Sequence, residues 1–189
     1  MHDVWSAHPQ AAAIEPAVRT DLHGMPERGR AFDQVMKRFL AIFAAVANLT
    51  LVDAVAKEFA AGFLKGKAAI EVLPGFFNLA YVENRGCAWG MFQGHVWPLA
   101  VFACAALVLL VWQRKSIFGG GFLSAACECL LYAGIVGNLI DRIFRGYVID
   151  FFDFHWGASH FPCFNIADSY ISVAVGVLLI SSFRKGDGK

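Results

Sequence analysis

The chain has 189 residues, of which 58% are hydrophobic and 16% charged, and its net charge is +1. A soluble domain usually carries about 25% charged residues, so the composition points to a membrane protein. The near-neutral balance leaves no basic footprint for nucleic acid, and the length suits one domain.

Residues 1–35 hold three prolines, scattered charges and no sustained period. They read as a flexible cytoplasmic tail, not as a secretory leader, because no apolar core follows the first residues. Residues 36–185 form the membrane domain. A helix crosses a bilayer with about 20 apolar residues, and four runs approach that length. Residues 39–56 form the first, interrupted by Asn48, Thr50 and Asp53. In the segment that follows, Phe77, Leu79 and Tyr81 alternate with Asn78, Ala80 and Val82, the period of a strand. Pro74-Gly75 before it and Asn84-Arg85-Gly86 after it are turn signals. A small β-element at about 70–90 is therefore expected. Val96–Trp112 is the second run and carries no charge, residues 117–140 are the third, with Glu128 inside, and Ile166–Phe183 is the fourth, with Asp168 near its start. The fold class is thus an all-α membrane protein with four transmembrane helices and a small extracytoplasmic β-sheet element.

Basic residues collect on the cytoplasmic side of spanning helices. Arg28, Arg30, Lys37 and Arg38 precede the first run, Arg114 and Lys115 separate the second and third, and Arg184, Lys185 and Lys189 close the chain. Both termini are expected in the cytoplasm, with residues 57–95 and 141–165 outside.

On that topology the unusual polar residues share one depth. Asp53 ends the first helix, Asn84 lies in an outer loop, Asn138, Asp141 and Arg142 end the third helix, and Asn165 and Asp168 begin the fourth. Ionisable groups in membrane segments are costly and face a bundle interior or a wet cavity. Simpler readings exist for each. Asp141 and Arg142 suit an interfacial pair. Asn165 suits an N-cap, with Asp168 favoured by the helix dipole. Asp53 and Lys57 suit an i, i+4 pair. Asp150, in "YVIDFFDF", is apolar on both sides, where an unpaired carboxylate is expensive. Asp153 reads as a surface group, and Glu128 has no evident partner. His155 and His160 flank Trp156 as interfacial anchors, with no carboxylate spacing for a metal. The five cysteines include no C-x-x-C pair. Cys104, Cys127 and Cys129 read as small core hydrophobes, and for Cys87 and Cys163 free thiols are expected over a disulfide.

Two close carboxylates cannot both ionise cheaply and share a proton. A pair such as Asp150 and Asp168 then supplies a base for water and an acid for a scissile amide. No G-x-S-x-G or H-E-x-x-H is present. A proton-coupled transporter would instead place its carboxylates near midplane in repeated halves, and a structural subunit would use them only to join helices.

"GNLIDRIFRGYVIDFFDFHW" (137–156) and "FPCFNIADSYISV" (161–173) strongly resemble the lipoprotein signal peptidases, or signal peptidase II, which are bacterial intramembrane aspartyl peptidases. "NRGCAWG" (84–90) and "DAVAK" (53–57) are similar to two further motifs of that family. The resemblance implies that Asp150 and Asp168 are catalytic. It implies that Asn84, Gly86, Asn138, Asp141, Arg142, Asn165, Asp53 and Lys57 shape the site or position substrate. It also implies a cytoplasmic (inner) membrane enzyme, monomeric and without cofactor or metal. Its active site lies near the outer face, and it cleaves prolipoproteins on the amino side of a diacylglyceryl cysteine. The expected ligands are those substrates, membrane lipid and the inhibitor globomycin. Ala54 departs from the family's usual glutamine, and Cys87 and Trp89 stand where small and phenylalanine residues are common.

Overall fold

The computed structural model describes residues 27–87, 89 and 91–186, so residues 1–26 of the expected tail lie outside the described residues. The elements in chain order are α1 (Glu27–Leu64), β1 (Ile70–Leu73), β2 (Phe77–Asn84), α2 (Val96–Trp112), α3 (Arg114–Phe118), α4 (Phe122–Phe144), β3 (Val148–Trp156), β4 (Ser159–His160) and α5 (Ile166–Gly186). Two units are distinguished, Met1–Leu40 and Ala41–Lys189. In the first, the described part of α1 carries an Asp33–Lys37 ion pair at 2.7 Å, one helical turn apart. Residues 27–35, expected within the tail, are helical. Everything below concerns the second unit.

The helices follow from the apolar runs, and their ends follow from local chemistry. α2 begins within one turn of Pro98, where a missing backbone N–H leaves no intrahelical bond unmade. The expected run 117–140 is broken. Gly119 and Gly121 adopt positive φ, at 48° and 99°, and separate the short α3 from α4. Three helices are long and apolar enough to cross a membrane: Gly29–Leu64, Phe122–Phe144 and Ile166–Phe183. α2 is apolar but shorter, at 17 residues. These helices leave many large apolar side chains exposed, Phe102, Trp112 and Phe122 among them, as spanning helices do.

The sheet is antiparallel with strand order β1-β2-β3-β4. The β1–β2 hairpin turns at Gly75, whose φ is 71°, so the expected turn and alternation are present. β3 and β4 were not foreseen. Val148, Ile149, Phe151 and Phe152 give β3 a β-branched and aromatic composition that suits a strand. The β2–β3 register shifts between Leu79 and Val82. Beyond that irregularity Val82 pairs with Asp150 and Asn84 with Val148, which sets Asn84 diagonal to Asp150 on one face of the sheet.

Two cores hold the unit. One gathers Phe118, Leu131, Tyr132 and Ala174 with Val46 and Leu107, joining α1, α2, α3, α4 and α5. The other packs Ala60 and Leu64 of α1 against Ile149 and Phe151 of β3, and so fixes the sheet to the end of α1. α4 and α5 approach closely at Gly134, where a Cβ would lie 2.5 Å from the Ala167 carbonyl oxygen and 2.7 Å from Ile171. Gly134→Ala forces the helices apart and is expected to cost about 1–3 kcal/mol, the usual range for overpacking. The check is the thermal unfolding midpoint in detergent, which should fall, whereas Gly176→Ala, where a Cβ meets nothing within 4 Å, should leave it in place.

Candidate active site

The site is built around a buried ammonium. α1 sets Asp53 and Lys57 one turn apart, and both side chains are 1% exposed. Lys57 Nζ lies 2.8 Å from Asp53 and 2.9 Å from Asp141 of α4. It also donates to Asn138 Oδ1 at 3.0 Å. Asp53 Oδ1 accepts the Ala167 N–H at the start of α5, at 2.9 Å. One cation therefore ties α1, α4 and α5 together. Gly137 is part of the fit, because a Cβ there would stand 2.7 Å from Asp53 Oδ2. Asp141 also accepts from Arg145 Nε at 2.9 Å and from the Ile149 N–H at 3.4 Å. That second bond reaches β3 directly beside Asp150. Arg145 pairs as well with Glu58.

From Asn138 the network runs to both remaining carboxylates. Asn138 Nδ2 donates to Asp168 Oδ1 at 2.7 Å. Asn165 caps α5: its Oδ1 accepts the Asp168 N–H at 3.0 Å, while its own N–H donates to Asp168 Oδ2 at 3.2 Å. This is a reciprocal capping box, so the N-cap reading of Asn165 holds alongside any chemical role. Asn165 Nδ2 donates to Asp150 Oδ1 at 2.7 Å and lies within reach of Asn138 Oδ1 and the Ile149 carbonyl. Asn84 Nδ2 donates to Asp150 Oδ2 at 2.9 Å, and its Oδ1 accepts the Gly86 N–H at 2.9 Å. Arg142 is held by the Asn138 and Gly86 carbonyls at 3.3 and 3.2 Å.

Asp150 and Asp168 face one cavity of about 540 Å³. Its polar wall is Asn84, Asn138 and Arg142, and its apolar wall includes Val148, Phe161 and Phe164. It continues along α5 past Ile171 and Val173. Burial, reinforced by the charge of Asp168, pushes Asp150 up to about 7, against the hydrogen bonds from Asn84 and Asn165. Cys163 lines the same cavity, and burial pushes its thiol up to about 12. It is therefore a thiol and not a nucleophilic thiolate near neutral pH.

All ten residues singled out from the sequence meet here. Asn84, Asn138, Arg142, Asp150 and Asp168 line the cavity. Asp53, Lys57, Asp141 and Asn165 stand behind them as buried supports, and Gly86 supplies backbone groups. A Cβ at Gly86 would lie 2.4 Å from the Met91 carbonyl oxygen, so the loop closes only around glycine. Arg145 was overlooked as a member of this network, although its i, i+4 spacing from Asp141 signalled the pair.

Two expectations need correction. Asp153 is not a surface group: its side chain is 13% exposed, accepts from Asn78 at 3.2 Å and pairs with His160 at 2.7 Å. Pairing across the unforeseen β3 accounts for this. Glu128 does have a partner, because Arg114 folds back onto it across the α3–α4 turn. The His155 and His160 rings stack at 5.1 Å beside Asp153. No disulfide joins Cys87 and Cys163 in the structure. Among the described residues no group of three or more His, Cys, Asp or Glu side chains is arranged to hold a metal.

The comparisons with known proteins point one way. The family profile described as signal peptidase (SPase) II matches residues 31–184. A lipoprotein signal peptidase of Syntrophotalea carbinolica is 38% identical over 149 residues, covering 77% of this chain and 92% of that protein. One from Symbiobacterium thermophilum is 41% identical over 151 residues, covering 78% and 95%. A solved structure, titled as a bacterial membrane enzyme obtained by the in meso method at 2.3 Å resolution, superposes with a TM-score of 0.69 at 31% identity. It covers 78% of this chain and 90% of that one.

Two outcomes follow from the geometry. Lys57→Met leaves buried Asp53 without its cation and Asp141 with Arg145 alone, and removing one member of a buried pair costs about 3–5 kcal/mol. Folded yield and the thermal midpoint in detergent should both drop. The second concerns pH. The folded state raises Asp150 above its ordinary 3.8 to about 7, so folding takes up a proton between those values. Stability from that proton is complete below 3.8 and is lost as pH rises through about 7. The thermal midpoint should therefore decline over that window, and Asp150→Asn should flatten the decline.

Proposed function

The chain belongs to the signal peptidase II family, and on that premise we propose that Asp150 and Asp168 act as the general acid and general base that cleave prolipoproteins. As a member of that family it is an integral membrane aspartic protease that removes lipoprotein signal peptides. The observation that carries the finer reading is the convergence of two carboxylates from β3 and α5 on one cavity, held by shared asparagines and beside Arg142.

Asp168 sits in the first turn of α5 and accepts two N–H donors, and the helix dipole favours its anion. Asp150 holds the proton, in keeping with its rise to about 7. Asp168 draws a proton from a water between the two groups, and the water oxygen adds to the scissile carbonyl carbon. Asp150 gives its proton to the carbonyl oxygen. Collapse of the tetrahedral species breaks the C–N bond as a proton passes to the leaving amine, and the acid–base states are restored.

The cleaved bond lies on the amino side of a diacylglyceryl cysteine. Lifting such chains from the bilayer costs roughly 0.8 kcal/mol per CH₂, so the carboxylates come to the lipid. Four helices cross the bacterial inner membrane, α2 being the shortest at 17 residues, which still reaches the lower end of the spanning range. Both termini are cytoplasmic, with residues 1–35 as the tail and 36–185 as the peptidase domain, and the pair stands near the outer face. The enzyme acts as a monomer, needs no cofactor, and is blocked by globomycin.

Asp150→Asn and Asp168→Asn should each abolish the size shift of a lipidated prolipoprotein while the protein remains folded in detergent. Normal turnover by either variant contradicts the pair. Chelation with EDTA should leave the rate unchanged, and recovery of a lost rate by zinc would reassign the chemistry. The rate should fall as pH rises past about 7, where Asp150 loses its proton.

A further inference from the structure

A second recess, of about 450 Å³, adjoins the cavity of the aspartate pair. The two share seven wall residues, Asn84, Trp89, Asp150 and Phe161 among them. They then diverge in composition. The first runs along α5 to Ile171 and Val173. The second has no wall residue from any helix: it is lined from β2 by Val82 and Glu83, from the loop by Gln93, from β3 by Asp153 and from β4 by His160. One recess thus follows a membrane-length helix and the other stays in the sheet and loop layer.

A prolipoprotein has the same two-sidedness. Its signal segment and acyl chains are apolar, whereas the polypeptide after the cysteine is bound for water. The second recess also has a sign. Glu83 and Asp153 bring carboxylates to it, and its described wall contains no lysine or arginine. His160 is the base on that wall, and it pairs with Asp153. Lys65 and Arg85 pair with Glu83 at 3.1 and 3.4 Å from outside the recess, and Tyr81 donates to it at 3.2 Å. Asn78 donates to Asp153 from the neighbouring strand. Hydrogen bonds from these partners keep both acids in the anionic form.

We propose that this recess receives the residues directly following the lipidated cysteine, and that Asp153 and Glu83 bias it toward cationic side chains and against acidic ones. The inference rests on Asp150 and Asp168 being the cleaving pair, since it takes its direction from their position.

The test uses three lipidated substrates in uncharged detergent, alike except for the two residues after the cysteine: Lys-Lys, Gln-Gln and Glu-Glu. Partly exposed ion pairs are weak, so kcat/KM should fall from Lys-Lys to Glu-Glu by roughly fivefold. Asp153→Asn and Glu83→Gln, singly and together, should narrow that ratio. Equal kcat/KM for the three substrates with the wild-type enzyme overturns the proposal without needing any variant. So does a ratio that survives both substitutions, or one reproduced when the charges sit ten residues further along. Failure to cleave any of the three contradicts the aspartate-pair reading instead.

Discussion

A lysine ammonium buried to 1% exposure is the constraint on which the site depends. An unpaired buried charge is prohibitive, so Lys57 must have its anions, and it has them from two helices, Asp53 on α1 and Asp141 on α4. Each anion is then bound to a further element, Asp53 to the Ala167 N–H at the start of α5 and Asp141 to β3. Asn138 carries the arrangement onward by taking the ammonium on its oxygen and giving its amide to Asp168. Asn165 gives its amide to Asp150 while capping the helix that bears Asp168. The position of two carboxylates from distant parts of the chain thus follows from satisfying one cation. Buried polar networks of this kind rigidify a site when their members are paired, and this one opens onto the cavity at Asp150 and Asp168.

Much of this was legible in the sequence. Hydropathy located α2 and the start of α5 to the residue, because both runs have sharp polar edges. The β1–β2 hairpin showed in the alternation after Pro74-Gly75. The residues of the site stood out because polar groups at one depth of an apolar chain need a shared explanation. β3 stayed hidden for a physical reason: Val148, Ile149, Asp150 and Phe151 are buried on both faces, so no alternation marks the strand. Asp153 was misplaced for the same reason, its burial depending on cross-strand partners. The turn between α3 and α4 was hidden inside an apolar run, although three consecutive glycines marked it.

The same turn explains Glu128. It lies ten residues before Asn138 on α4, about 15 Å away along a helix, and is fully buried. Arg114, at the start of α3, turns onto it. Glu128 and Asn138 thus belong to two separate polar groups along α4. One is an ion pair that closes a helical connection, and the other opens onto a cavity. A transporter would need such groups near the middle of its helices. A purely structural role for the second cluster would not require a cavity at Asp150 and Asp168.

That proton is the most direct point of attack. Infrared difference spectroscopy of the detergent-solubilised protein reads the C=O stretch of a protonated carboxyl group, identified by its shift in D₂O. The account predicts one such band that titrates away as pH rises through about 7 and is missing from Asp150→Asn. A wild-type spectrum without that band, or a band untouched by the Asp150 substitution, would contradict a proton held between Asp150 and Asp168.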